Sequence, residues 1–175
     1  MPSYIIVPDG IAADKTRAPK PRPSFVYRQV LDYVISIAGS NDAVYLAPAN
    51  CCNDTSEHEL AYTYIKENSR RDLQVYCPPI LPAYYIDTYG NAILLKQLLG
   101  SAITDTYCEL VCAQIHSYRA EYCFRKAGFT IGKVHRVPYR RTGEPIMRRW
   151  WYYNYKPIHW IYEIFAFMRD IVRNP

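Results

Sequence analysis

The chain has 175 residues and a net charge of +5, and half of its residues are apolar or aromatic, 18 of them tyrosine. That length and composition exclude a disordered chain and predict one domain, residues 1–175, with a core of its own. No window reaches the roughly 18 uninterrupted apolar residues of a membrane helix, and the opening MPSYIIVPDG lacks the charged and apolar regions of an export signal. A cytoplasmic protein without a membrane partner is therefore expected.

Residues 3–7 (SYIIV) form a short apolar run rich in β-branched side chains, ending at Pro8-Asp9-Gly10. They predict a buried first strand and its exit turn. The stretch 11–23 carries Lys15, Arg17, Lys20 and Arg22 beside three prolines, which keep it extended and out of a helix. It is either a solvated surface connection or a basic flap over the carboxyl end of the first strand. Ser24 is placed to cap a helix over 25–38, with Val26, Val30, Val34 and Ile37 on one face and Gly39 at its end.

Residues 43–47 (AVYLA) predict the second strand, and the loop PANCCNDT leads into a helix over 56–68. Ser56 and Glu59 have the S-x-x-E spacing of a capping box, which leaves Glu57 the freer carboxylate and makes His58 a surface residue. Cys51 and Cys52 beside His58 are too few ligands for a tetrahedral metal site. The six cysteines (Cys51, Cys52, Cys77, Cys108, Cys112 and Cys123) contain no CxxC pair. Reduced, buried thiols and no metal are expected.

Residues 73–77 predict a third strand, followed by the proline-rich connection PPILPAYYI. Asp87 or Thr88 then caps a helix that runs to Leu99, with Gly100 after it. The near-continuous apolar run 107–113 fits a fourth strand covered on both faces, as in a parallel sheet. A helix over 117–127 ends at Gly128, and 130–137 is the fifth strand. Pro157 opens a last helix over 158–172, with Ile161, Ile164, Phe165, Met168 and Ile171 on the side expected to dock. The alternation predicts an α/β protein: a Rossmann-like, three-layer, doubly wound and mainly parallel five-stranded sheet with helices on both faces. No G-x-G-x-x-G turn follows the first strand, so a dinucleotide fingerprint is not supported.

The basicity sits in one segment. Between 133 and 156, Lys133, Arg136, Arg140, Arg141, Arg148, Arg149 and Lys156 stand against Glu144 alone, a net of +6. With Trp150, Trp151, Tyr152, Tyr153 and Tyr155 among them, this segment has three readings: core packing beneath the last helix, a lid over a ligand, or a nucleic-acid surface across 135–160.

Asp9, Gly10, Arg28, Glu57, Asp87, Thr88, Asn91, His116, Ser117 and Arg119 all fall just past a strand's carboxyl end or in the first turn of the next helix. A parallel sheet brings those ends to one edge, where ligands bind in open α/β folds. Helix N-terminal amides beside arginines suit an anion, most naturally phosphate or carboxylate. The unperturbed histidine side chain titrates near working pH, which makes His116 the candidate general acid or base, with Asp87 or Glu57 as its partner.

Three motifs in this region carry a family resemblance. They are Ser56-Glu57 opening the helix after the second strand, Asp87-Thr88-Tyr89-Gly90-Asn91-Ala92, and His116-Ser117-Tyr118-Arg119-Ala120 after an apolar strand. In order and spacing they resemble the ElyC/SanA/YdcF group, whose motifs are an acidic helix start, an S-T-x-E-N-A-like helix start and H-x-x-R-A. The resemblance runs from about Glu57 to Gly128, more loosely beyond. Gly90 stands where the group has glutamate, so that residue's role is lost here or carried by Asp87. Pro8-Asp9-Gly10 replaces the usual glycine pair. The resemblance implies a polar pocket for a nucleotide-like ligand, S-adenosylmethionine among them, and no settled reaction. Taken together, the sequence predicts a small anionic ligand, phosphorylated or nucleotide-like, bound by a possible transferase or hydrolase. Arg28 and Arg119 would hold the anion, Thr88 and Asn91 would position it, and His116 would handle a proton.

Overall fold

The structure, a computed structural model, describes residues 2–52, 55–79, 85–100, 103 and 106–173. Residues 80–84 of the proline-rich connection and 53–54 of the PANCCNDT loop lie outside the described residues. Five parallel strands make the sheet: β1 (Ser3–Ile6), β4 (Ala43–Leu46), β7 (Gln74–Tyr76), β8 (Cys108–Ala113) and β9 (Ile131–Val137), in the order β7-β4-β1-β8-β9. The chain winds outward from β1 on one side, returns, and winds outward on the other, which puts the topological switch point between β1 and β8.

Alternation along each strand sends successive side chains to opposite faces. Tyr4, Ile6, Val44, Leu46 and Val111 pack beneath α1 (Phe25–Ile37) and α2 (Glu57–Asn68). Ile5, Val7, Leu110 and Cys112 pack beneath α3 (Thr88–Leu99) and α4 (Ser117–Lys126). The result is an α/β Rossmann-like three-layer fold, as the alternation of elements predicted.

The caps follow the sequence. Ser24 Oγ accepts from the Tyr27 amide, Ser56 and Glu59 form the reciprocal capping box, and the Asp87 carboxylate accepts from the Gly90 amide. The stretch 11–23 is extended, but it closes on itself as an antiparallel hairpin of β2 (Ile11–Ala13) and β3 (Pro19–Pro23). Ile11, Ala12 and Ala13 are buried, and Ala12 bridges to Ile146 of the basic segment. Two residue pairs in the exit loop, β5 (Cys51–Cys52) and β6 (Thr55–Ser56), also pair antiparallel.

The basic segment runs from β9 into a 3-10 helix, Arg148–Asn154, whose Trp150, Tyr152 and Tyr153 turn inward. It continues into α5 (Lys156–Arg173), and here the structure corrects the sequence. The apolar stripe expected to dock faces outward, with Ile161 55% and Phe165 65% exposed, and Ile164, Met168 and Ile171 also exposed. The buried face is His159, Glu163, Ala166 and Asp170. Its polar side chains are drawn in by partners on α4 and beyond β9, chiefly Arg119 and Tyr139. Among the described residues, no helix is long and apolar enough to cross a membrane.

Candidate active site at the switch point

The turn after β1 is the hub. The Asp9 side chain is buried and accepts three hydrogen bonds: Oδ2 from the Ala113 amide at 3.0 Å, and Oδ1 from Tyr153 Oη at 2.7 Å and from His116 Nδ1 at 2.9 Å. Those donors come from the end of β8, the 3-10 helix and the start of α4, so one carboxylate ties three elements to the switch point. Gly10, the next residue, has φ +96° and donates its amide to Glu57 Oε1 at 2.7 Å. The Trp150 indole covers Gly10, and a Cβ there would stand 3.0 Å from its Cγ. Only glycine meets both the conformation and the contact without strain.

An ionised Asp9 accepts only, so Nδ1 is the protonated nitrogen of His116 and Nε2 faces outward as an acceptor. Nε2 lies 3.1 Å from Thr88 Oγ1, at the first turn of α3. Arg119 Nη1 donates to the same hydroxyl at 2.6 Å. The rest of that guanidinium grips Glu163 in a two-pronged pair, Nε to Oε2 at 2.6 Å and Nη2 to Oε1 at 3.0 Å. Asp170 Oδ2 lies 3.4 Å from Nη1. Burial works against the charge on Arg119, and the carboxylates of Glu163 and Asp170 more than restore it, so it stays cationic. For Glu163, burial alone would raise the pKa; the Arg119 guanidinium, bonded to both of its oxygens, outweighs burial and holds the carboxyl well below its usual range.

Glu57 behaves differently. Burial raises its pKa from 4.5 to about 7, against the opposing hydrogen bonds from Gly10 and Asn50. Such a carboxyl exchanges a proton near neutral pH, the property of a general acid or base. Asn50 steadies it, with Nδ2 3.4 Å from Glu57 Oε2, while bonding the backbone of Ile86 in both directions.

These groups open on a cavity of about 50 Å³, walled by Asn50, Glu57, Thr88, Asn91, His116 and Arg119 on the sheet side. Arg149, Trp150, Tyr152, Tyr153 and Tyr162 close the other side. Arg149 lies over the Tyr85 ring, 4.4 Å from its centroid, and has no ion-pair partner among the described residues. A wider groove of about 570 Å³ adjoins through Tyr85, Ile86 and Asp87 and continues along Tyr89, Ile93 and Leu94.

The structure thus brings together Asp9, Gly10, Glu57, Thr88, Asn91, His116 and Arg119. Asp87 lines the cavity too, but it caps α3 and lies 3.6 Å from Arg169; His116 is bonded to Asp9 instead. Arg28 pairs with Glu144 and is not among the cavity-lining residues. Ser117 Oγ donates to the Gln114 carbonyl and receives Arg136, which makes it a clasp at the start of α4. Asn91 spends its amide on the Pro48 carbonyl. His58 is fully buried, not a surface residue: Nδ1 accepts from the Ala49 amide, and burial lowers its pKa to about 4.

The sequence reading missed Asn50, Tyr85, Glu163 and Asp170, and it left Arg149 within the segment of open role. The polar stripe His159, Glu163 and Asp170, spaced four and seven residues apart, was the available signal for the last helix. Among the described residues, no group of three or more His, Cys, Asp or Glu is placed to hold a metal ion. Comparison with protein-family models, with curated proteins and with solved structures gives no match to this chain.

Proposed function

We propose that the chain binds a phosphorylated or nucleotide-like small molecule at the switch point and acts on it as a hydrolase or transferase, with His116 as the catalytic acid–base. One observation carries this: a buried histidine oriented by a carboxylate on one nitrogen presents its other nitrogen to a hydroxyl at a polar cavity. Arg149 is the cation best placed to meet a phosphate, because Arg119 is already engaged by Glu163 and Asp170. A cavity of about 50 Å³ suits a single phosphoryl-sized group, whereas sites for whole small molecules run to roughly 300–1,000 Å³. The remainder of the ligand belongs in the adjoining groove.

S-adenosylmethionine, implied by the ElyC/SanA/YdcF resemblance, does not fit the cavity alone, and no step is assigned to it. We place the protein in the cytoplasm, in keeping with thiols that burial holds protonated: those of Cys77 and Cys108 are raised to about 11. Nucleic-acid binding through 135–160 is the weaker reading, because Trp150, Tyr152 and Tyr153 are buried and would have to leave the core to stack on bases.

A thermal-shift screen of nucleotides, sugar nucleotides and phosphometabolites tests the proposal. A ligand at ~100 times its Kd stabilises the fold by roughly 2.7 kcal/mol. With a substrate in hand, His116→Gln should lower kcat by roughly 10²-fold or more. No stabilisation by any phosphorylated compound overturns the binding, and turnover within a few-fold of wild type removes His116 from the chemistry.

A further inference from the structure

We infer that Thr88 is the nucleophile of this site, activated by His116 and positioned through Asp9, so that the phosphoryl group of a phosphomonoester passes through a phosphothreonine. The inference rests on the phosphorylated-ligand reading above and names the step it takes. The proton inventory points to it. Arg119 Nη1 is a donor only, so at 2.6 Å it occupies a lone pair of Thr88 Oγ1 and leaves the hydroxyl proton free. The acceptor for that proton is His116 Nε2 at 3.1 Å, available because Asp9 Oδ1 holds the ring proton on Nδ1 at 2.9 Å. A carboxylate, an imidazole and a hydroxyl in series, with a guanidinium beside the oxygen to favour developing negative charge, form the pattern of an activated nucleophile. A merely structural threonine at a helix start needs no such arrangement, since Asp87 already caps α3.

In the first step Thr88 Oγ1 forms a bond to phosphorus and gives its proton to His116 Nε2, while the bond from phosphorus to the leaving oxygen breaks. That oxygen takes a proton from Glu57 in its acid form; Glu57 lines the same cavity and titrates at about 7. In the second step water attacks phosphorus and gives a proton to the Glu57 carboxylate, and Thr88 Oγ1 leaves with the proton held by His116. The sum is phosphomonoester plus water giving alcohol plus phosphate, with every protein group restored.

An alkyl fluorophosphonate isolates the attack half of this chemistry, because fluoride departs without needing a proton. The wild-type protein should form a single adduct at Thr88, located by peptide mass spectrometry. Thr88→Ser should keep the adduct and Thr88→Val should lose it, each variant being checked for a native near-ultraviolet signal. His116→Gln should slow labelling by roughly 10²-fold or more. Asp9→Asn should slow labelling and also lower the midpoint of its pH profile, because an imidazole without its carboxylate holds a proton less tightly. A shifted profile is a readout that a purely structural Asp9 would not move.

Absence of an adduct in both wild type and Thr88→Ser, or labelling at Thr88 that is unchanged in His116→Gln or flat between pH 5 and 8, overturns the inference. If phosphorylated compounds stabilise the fold but no adduct forms, the nucleophile alone is refuted. If none of them stabilises it, the reading beneath it falls as well.

Discussion

Replacing Glu57 with glutamine should remove a pH dependence of stability that this one carboxyl imposes. The folded protein holds the Glu57 proton with a pKa of about 7, against 4.5 for the free side chain, and burial is the main cause. Between those values the folded state binds more protons than the unfolded state, so stability falls as pH rises through the window and stays lower above it. Full ionisation of a carboxyl perturbed by that much costs about 3 kcal/mol, which for a chain of this size corresponds to roughly 6–12 °C in Tm. His58, lowered to about 4, and His159, also lowered by burial, act in the opposite sense. Their unfolded states take up protons first as pH drops, so they add stability as pH rises toward the usual histidine range. The wild-type curve is a sum of both effects, and the difference between wild type and Glu57→Gln isolates the carboxyl. Calorimetric melts at pH 5, 6, 7 and 8 should show nearly equal Tm at pH 5 and a growing advantage for the variant above it. Parallel curves across that range would refute a protonated, buried Glu57 and its role as an acid at neutral pH.

Arg119→Met should cost about 3–5 kcal/mol, because Glu163 is left buried without its cation while Asp170 keeps Arg169; adding Glu163→Gln should recover part of it, and strict additivity in denaturant melts would rule out the coupling. Ile161→Gln and Phe165→Gln on α5 should each change stability by no more than about 0.5 kcal/mol, and a loss above about 2 kcal/mol would mean that this face is packed. Gly10→Ala forces a Cβ into a left-handed backbone and toward Trp150, so a loss above about 1 kcal/mol with altered tryptophan fluorescence is expected; an unperturbed protein would contradict that contact.

The sheet was legible because its strands advertise themselves. SYIIV, AVYLA and the run 107–113 are short, apolar and bounded by turn residues, and the capping residues Ser24, Ser56 and Asp87 mark the helices between them. The edge on which the polar residues gather followed from the same alternation. Pairing was not legible, because which carboxylate meets His116 depends on strand order. Asp9 lies 107 residues away in the chain and becomes its neighbour only because β1 and β8 pair directly. Arg28 and Ser117 also sit at helix starts, yet Arg28 is taken by Glu144 and Ser117 by the backbone of Gln114. Position along an element says which edge a side chain reaches, and competition among partners decides what it does there.

The last helix shows that competition at its strongest. Its two stripes lie on opposite faces: His159, Glu163, Ala166 and Asp170 inward, and Ile161, Ile164, Phe165, Met168 and Ile171 outward. Burial of apolar area alone favours the reverse, since each large apolar side chain fully buried contributes about 1.5–3 kcal/mol. Arg119 opposes that rotation. Its guanidinium is itself buried beneath α5, and turning the helix would strip it of both carboxylates. An unpaired buried charge costs several kcal/mol, and the Thr88 hydroxyl that Arg119 holds would lose its register with His116. The orientation of α5 is therefore tied to the site: the inner-face ion pair that rotation would break also keeps the Thr88–His116–Asp9 chain in line.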